Sequence, residues 1–239
     1  RRPMCCRRPS STPSTEPLTG TNSAVSGLLL TFLADVRLPV GAHTQSAGLE
    51  PALQAGMPAG AVDRFIRTRL ETVTEVEAGT AVVARAVELS GGDLAAVESA
   101  WAARTPSRAL RDNAHQLGRG QSRLLATLWP TERDHHDARY CRAIVLGVTA
   151  ARAGLDAHDT ARLVGYDDLQ AVTSALLKLE PGDPVEVAAL TRDLLSEVEA
   201  MADRVAGLTA PEQIPAHAAP QLELWTERHA HTTERLFRA

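Results

Sequence analysis

The stretch that organises this chain is LADVRLPVGAHTQSAGLE, residues 33–50. An apolar run at 28–33 ends in a charged pair, and a Pro-x-Gly breaker follows at Pro39 and Gly41. Small and polar residues then surround His43, and the pattern becomes apolar and helical again. Proline and glycine at this spacing end one helix before another begins. The stretch therefore predicts a corner of defined shape between two helices.

Nearly every segment after residue 25 has the apolar spacing of an amphipathic helix. No stretch of strand length alternates cleanly between apolar and polar residues. With 239 residues, the chain is long enough for one large domain. We expect a single all-α domain over 25–239, built from roughly ten helices with short connections.

Several local signals predict where these helices begin and how they pack. A long segment at 61–89 reads as two helices or one bent helix. Thr105 followed by Pro106 predicts a helix that is capped by the threonine and has proline in its first turn. The small Gly147 in a mostly apolar helix predicts a buried element that lets its neighbours approach closely. The pair Gly118 and Gly120 predicts close packing or a kink, because no strand precedes it as in a phosphate loop.

The segment at 157–179 reads as two shorter helices, 157–164 and 168–179. Asp168 is a good N-cap residue in that interpretation. The adjacent pair Asp167–Asp168 is too short for an Asp-rich metal motif.

The first 24 residues differ in composition from the rest of the chain. They are rich in Arg, Pro, Ser and Thr, with few apolar residues, which predicts a disordered tail over 1–24. The remaining residues carry 21 cations against 28 anions, a net charge of about −7. An acidic body of this kind disfavours nucleic acid as the main partner.

No apolar run approaches the length of a membrane span, and no convincing cleavage site follows the short apolar segment at 27–33. We therefore expect a cytoplasmic protein without a membrane partner. The three cysteines are two neighbours in the tail, Cys5 and Cys6, and a single one in the body, Cys141, which gives no disulfide framework.

Candidate chemistry at the corner has two interpretations. His43, Ser46 and Glu50 contain the groups of a hydrolytic triad, but triad members normally converge from separate elements. The alternative roles are turn formation at Gly41, helix capping by Thr44 or Ser46, and hydrogen bonding by His43. We favour these alternatives and predict no catalytic residues.

The histidines do not form a recognisable metal motif. His135 and His136 are neighbours, so their side chains would diverge on a helix, and His229 and His231 also face different ways. No Cys/His/Asp/Glu set has the spacing of a structural metal site. The metal ligands remain unknown at this point, and a metal held between two chains stays open.

The last helical pattern, 221–237, places Leu222, Trp225, His229 and Leu236 on one side. Terminal helices fray unless something holds them. This helix therefore either docks on its own domain or presents its face to a partner, and aromatic anchors suit both.

Five segments resemble a known family in the same order along the chain. The corner, LPVGAHTQSAGLE, resembles the signature of the UreF family of urease accessory proteins. The others resemble the arginine-rich helix, the histidine–glycine helix, the segment ending in L-x-P-x-D, and the family's terminus. These segments are Arg104–Leu125, His135–Gly154, Thr173–Pro184 and His229–Ala239.

The chain also departs from the family pattern. Val40 stands where the family usually has Thr, and Ala42 where it usually has a second Gly. Lys178 replaces a common Arg, and the chain ends in Ala239 rather than Ser. Alanine tolerates positive φ poorly, so the change at residue 42 bears on the turn geometry.

The resemblance implies an all-α accessory protein without enzymatic turnover of its own. Proteins of this family dimerise, bind UreD (called UreH in some systems) and recruit the GTPase UreG to apo-urease. The resemblance thus implies a homodimer within a nickel-insertion complex, no tightly bound cofactor, and nickel handled transiently by the assembly.

Two other functions remain open from the residues alone. One is an all-helical ligand-binding transcriptional regulator, although the first helices lack a basic recognition face. The other is a helical hydrolase using His43 and Ser46. The interface residues that we predict are Pro39, Gly41, His43, Ser46, Gly48, Glu50, Arg111, Arg119, Trp225, His229, Arg235, Leu236 and Phe237.

Overall fold

The protein is described by a computed structural model that covers residues 23–40, 44–131, 140–233 and 236–237. Its helices are α1 Ser23–Leu33, α2 Leu49–Gln54, α3 Val62–Leu70, α4 Val73–Ser90, α5 Leu94–Arg104, α6 Arg108–Leu128, α7 Arg142–Ala153, α8 Ala157–Leu179, α9 Pro184–Asp193, α10 Leu195–Val205 and α11 Pro220–Ala230. Short 3-10 turns lie at Ala59–Ala61 and Pro211–Gln213. No β-strand forms in these ranges, which confirms the all-α prediction. The predicted tail, residues 1–24, falls almost wholly outside the described residues.

Helices α4 and α7 form the centre of the core. A Cβ added at Gly147 of α7 would lie 2.2 Å from the Ala81 carbonyl oxygen and 2.9 Å from Ala84 Cβ of α4. The two backbones are therefore in contact through small residues, as the sequence predicted for Gly147. Because aromatic residues are few, alanine, valine and leucine fill the space around this pair.

Helix α6 crosses the start of α7 at a second close approach. A Cβ at Gly118 would lie 2.3 Å from the Tyr140 carbonyl oxygen, and one at Gly120 would lie 3.2 Å from the Val40 carbonyl oxygen. The interpretation of these glycines as packing residues is confirmed. Gly120 thereby brings α6 against the chain that enters the corner.

The predicted start of α6 is wrong by a few residues. Ser107, not Thr105, is the N-cap, since its hydroxyl accepts the Leu110 amide. The carbonyl groups of Thr105 and Pro106 instead accept hydrogen bonds from the Arg111 guanidinium, at 2.6 and 2.8 Å. Both residues therefore belong to the connection that precedes the helix.

The predicted break in α8 is also wrong. Gly165 continues the helix and lets α10 approach, because a Cβ there would lie 2.8 Å from Met201 Cε and 2.9 Å from Val198 Cγ1. Asp168 consequently lies inside a helix and caps nothing. The segment at 61–89, by contrast, divides into α3 and α4, one of the two predicted outcomes.

The helices that the structure describes include none that is both long and apolar enough to cross a membrane.

Candidate functional site at the corner and the C-terminus

The corner turns into α2 through two consecutive residues with positive φ. Ala47 has φ 49° and Gly48 has φ 81°. The turn is stabilised by Ser46, whose hydroxyl accepts the Glu50 amide at 3.3 Å. This supplies a partner for one of the free N–H groups of the first helical turn. The N-cap residue of α2 is Gly48, however, and not Thr44 or Ser46 as predicted.

Glu50 is the buried acid at the start of α2, with 3% of its surface exposed. One carboxylate oxygen accepts the Leu236 amide at 2.7 Å, and the other accepts the Phe237 amide at 2.9 Å. Backbone N–H groups donated to a carboxylate are among the stronger hydrogen bonds in proteins. Glu50 therefore binds the end of the chain to its first corner.

His229 of α11 completes the contact. Its side chain is fully buried, and Nε2 lies 3.4 Å from Glu50 Oε2 and 3.4 Å from the Phe237 carbonyl oxygen. Its Nδ1 lies 3.3 Å from Gln54 Oε1, and the Gln54 amide also donates to Glu50 Oε1 at 3.4 Å. A proton on Nε2 thus faces two acceptors, one from α2 and one from the terminal segment.

The terminal segment directs one apolar side chain inward and one outward. Phe237 is 4% exposed, and Lys178 Nζ lies 5.1 Å from the centre of its ring. A cation at this distance from an aromatic face is attracted to it. Leu236 is 74% exposed. The buried phenylalanine anchors the segment, while the leucine extends the surface.

The structure brings together six of the predicted interface residues, from two distant parts of the chain. These are Ser46, Gly48, Glu50, His229, Leu236 and Phe237. Gly48 belongs to the group because its Cα position faces α11, where an added Cβ would lie 3.8 Å from Thr226 Oγ1. The predicted docking of the last helix on its own domain is therefore observed for its buried face. The predicted extent, 221–237, is wrong at its end, because the helix stops at Ala230.

The other predicted residues lie elsewhere or cannot be placed. Pro39 is exposed on the approach to the corner, and Gly41, His43 and Arg235 fall outside the described residues. Arg119 is exposed on α6, whereas the Arg111 guanidinium donates hydrogen bonds to backbone carbonyl groups just before that helix. The interface role of all these residues stays a prediction.

Trp225 lies one turn before His229 on α11 and lines a groove of about 390 Å³ between α11 and α3. Phe65, Met57 and Leu222 form its apolar wall, and Arg64 lies at its exposed side. The tryptophan is half-buried, so it both packs and remains accessible.

A charged cavity of about 110 Å³ lies behind the corner, and sequence reasoning missed it. Arg69 pairs with Asp168, and Thr74 donates to the same carboxylate at 2.7 Å. Arg142 pairs with Asp167. The adjacent aspartates were visible in the sequence, but their partners lie on other helices.

Glu77 also lines this cavity and accepts the Trp101 indole N–H at 2.6 Å. Desolvation raises the pKa of its carboxyl, and the Trp101 hydrogen bond opposes that rise. An acid in this environment carries a proton more readily than one in water.

This geometry suits a corner that holds the terminal segment better than one that hydrolyses a substrate. Ser46 is fully buried, so a substrate cannot reach its hydroxyl, and both carboxylate oxygens of Glu50 already accept amides of the terminal segment. In the part of the chain that the structure describes, one group of His, Asp and Glu side chains is placed to hold a metal ion, and it lies away from this corner.

The fold and this site define an all-α protein in which the first corner of the chain holds its C-terminal residues. Comparison with known proteins identifies the family of this all-α protein. The family model described as UreF matches residues 58–195.

Mycobacterial proteins described as urease accessory protein UreF are similar over most of their length. The relative from Mycobacterium marinum is 36% identical over 171 residues, which cover 70% of this chain and 79% of the relative. The one from Mycobacterium sp. strain JLS is 33% identical over 215 residues, covering 87% and 96%. The one from Mycobacterium tuberculosis H37Rv is 32% identical over 213 residues, covering 87% and 97%. The chain belongs to the UreF family of urease accessory proteins, which confirms the resemblance drawn from its motifs.

Proposed function

We propose that this chain is a non-enzymatic scaffold of urease maturation. Together with UreD (UreH) it recruits the GTPase UreG to apo-urease and regulates the insertion of nickel. In this proposal the chain acts in the cytoplasm as a homodimer within the complex, has no tightly bound cofactor, and meets nickel transiently.

The observation that carries the proposal is the buried contact between Glu50 and the amides of Leu236 and Phe237. It joins the family's signature corner to the family's terminal segment, so both belong to one surface. A scaffold needs such a surface to have a fixed shape before a partner arrives, because preorganisation reduces the entropy lost on binding.

Exposed apolar side chains on the terminal segment and on α11 support a docking role. Leu236 is 74% exposed and Leu224 of α11 is 42% exposed. The half-buried Trp225 lies on the same helix, next to a groove. Aromatic anchors near an apolar patch are typical of residues that dominate binding energy at interfaces. The acidic charge of the body also agrees with partners that are proteins.

Deletion of this gene in a strain that carries the urease operon tests the proposal. We expect urease protein to accumulate with little nickel and little activity, measured by metal analysis of the purified enzyme. Complementation with the intact gene should restore both. Normal nickel content in the deletion strain would refute the proposal.

A further inference from the structure

Three side chains of types that can bind metal ions converge, from two helices, on the surface formed by α8 and α10. His158 lies in the first turn of α8, and Glu199 and Asp203 lie one turn apart on α10. Residues four apart share a helix face, so both carboxylates point toward the histidine. The ligand atoms of all three lie within 4.8 Å of one another.

The two helices that carry these side chains are closely packed against each other. Gly165 allows α8 and α10 to approach, and Val198 and Met201 are buried between the two helices. The distance from His158 Nε2 is 2.8 Å to Asp203 Oδ1 and 3.8 Å to Glu199 Oε1. Ligands bonded at about 2.0–2.2 Å to one ion stand at similar separations, so small side-chain movements suffice.

Arg162 lies beside the group and has to be considered as a competing cation. Its guanidinium donates to both oxygens of Glu199, at 2.8 Å to Oε2 and 2.5 Å to Oε1, and to Asp159 at 3.0 Å. A metal that takes Glu199 Oε1 leaves the bonds to Oε2 and Asp159 in place. Arg162 would then orient the carboxylate, as outer hydrogen-bond partners do in metal sites.

The local charge favours a cation despite Arg162. Asp159 adds a third carboxylate to those of Glu199 and Asp203, and Asp156 caps the N-terminal end of α8. Asp156 and Asp159 also offset the positive end of the α8 dipole beneath His158.

We propose that His158, Glu199 and Asp203 bind one divalent transition-metal ion. One imidazole with two carboxylates suits Zn²⁺ or Ni²⁺ better than Mg²⁺ or Ca²⁺, which prefer oxygen ligands alone. Glu199 and Asp203 are partly open to solvent, so water completes the coordination. The proposal concerns metal binding by this chain and does not rest on the proposed function.

Titration of the purified full-length chain with ZnCl₂ or NiCl₂, in competition with a chromophoric chelator, tests the site. All proteins carry Cys5→Ser and Cys6→Ser, so that thiol binding does not mask it. The variants are His158→Gln and Asp203→Asn. The matched control is His217→Gln, since His217 is also surface-exposed but lies 3.7 Å from a single carboxylate, that of Glu75.

We expect the parent and His217→Gln to bind the same number of ions. His158→Gln and Asp203→Asn should each lose one equivalent, or bind it at least about tenfold more weakly. MgCl₂ should not compete. Circular dichroism should show equal folding, because all three positions are at the surface. Unchanged Zn²⁺ and Ni²⁺ binding in both site variants, or the same loss in His217→Gln, would overturn the proposal.

Discussion

Glu50 accepts the Phe237 amide at 2.9 Å across a separation of 187 residues. The same carboxylate accepts the Leu236 amide at 2.7 Å, with the buried His229 imidazole 3.4 Å away. The corner and the terminus are thus one structural unit. The urease accessory role that we propose depends on this unit keeping its shape.

Glu50→Gln should release the terminal segment. An amide presents one acceptor oxygen and an NH₂ group, so one of the two backbone amides would face a donor. We expect the free energy of unfolding to fall by about 1–3 kcal/mol, measured by urea denaturation. Hydrogen exchange at the Leu236 and Phe237 amides should become much faster. Glu180→Gln is the control, because Glu180 is exposed and should change neither quantity. Slow exchange retained in Glu50→Gln would contradict the assigned contact.

Phe237→Ala and Leu236→Ala form a matched pair on neighbouring residues. Phe237 is buried and contacts Lys178, whereas Leu236 is largely exposed. We expect Phe237→Ala to lower the free energy of unfolding by about 1–3 kcal/mol, since release of the segment limits the cost of the lost burial. Leu236→Ala should stay within about 0.5 kcal/mol. Limited proteolysis should cut the terminus faster in the first variant alone. Equal protease sensitivity of the two variants would contradict the buried position of Phe237.

Gly147→Ala should disrupt the centre of the fold. Its Cβ would lie 2.2 Å from a backbone oxygen of α4, which cannot move aside as a flexible side chain can. We expect a loss of about 1–3 kcal/mol or more in urea unfolding. Gly60→Ala is the control, because nothing lies within 4 Å of its added Cβ. Tolerance of Gly147→Ala comparable to that of Gly60→Ala would exclude the α4–α7 contact described above.

Glu77→Gln should change how stability depends on pH. Desolvation raises the pKa of the folded-state carboxyl above its unfolded value, so the folded protein binds this proton more tightly. Its contribution to stability is therefore full below the unfolded pKa and is lost as pH rises through the folded pKa. Glutamine keeps an acceptor for Trp101 and removes the titration.

We accordingly expect Glu77→Gln to gain stability relative to the parent as pH is raised from 5 to 8, measured by urea unfolding at each pH. Glu77 borders a cavity and is only half-buried, so the gain should be modest. A stability difference that does not vary with pH would show that this carboxyl is not desolvated.

The sequence predicted the fold class because helical period is a local property of the chain. It also singled out Ser46, Glu50, His229 and Phe237, since motif residues and terminal aromatics are visible without a structure. The contact between the corner and the terminus was not predictable, because no local pattern shows that two residues 187 positions apart form a hydrogen bond. The turn into α2 was expected at Gly41, and among the described residues of the corner those with positive φ are Ala47 and Gly48.

Asp168 shows why some local predictions were wrong. Aspartate before a helical pattern is usually a cap, and the segment was predicted to form two helices, 157–164 and 168–179. Tertiary packing of Gly165 against Met201 keeps α8 continuous, and Arg69 from α3 supplies the partner that Asp168 needs inside a helix. The charged cavity was missed for the same reason, since its residues come from separate helices.

Recovery of partners from cells that express the urease operon tests the central claim most directly. Tagged parent, Glu50→Gln and Glu180→Gln proteins would be purified in parallel, and UreD and UreG would be quantified in each. We predict that Glu50→Gln recovers at least about tenfold less UreG than the other two. Equal recovery by Glu50→Gln, in a preparation whose Leu236 and Phe237 amides exchange freely, would contradict the account.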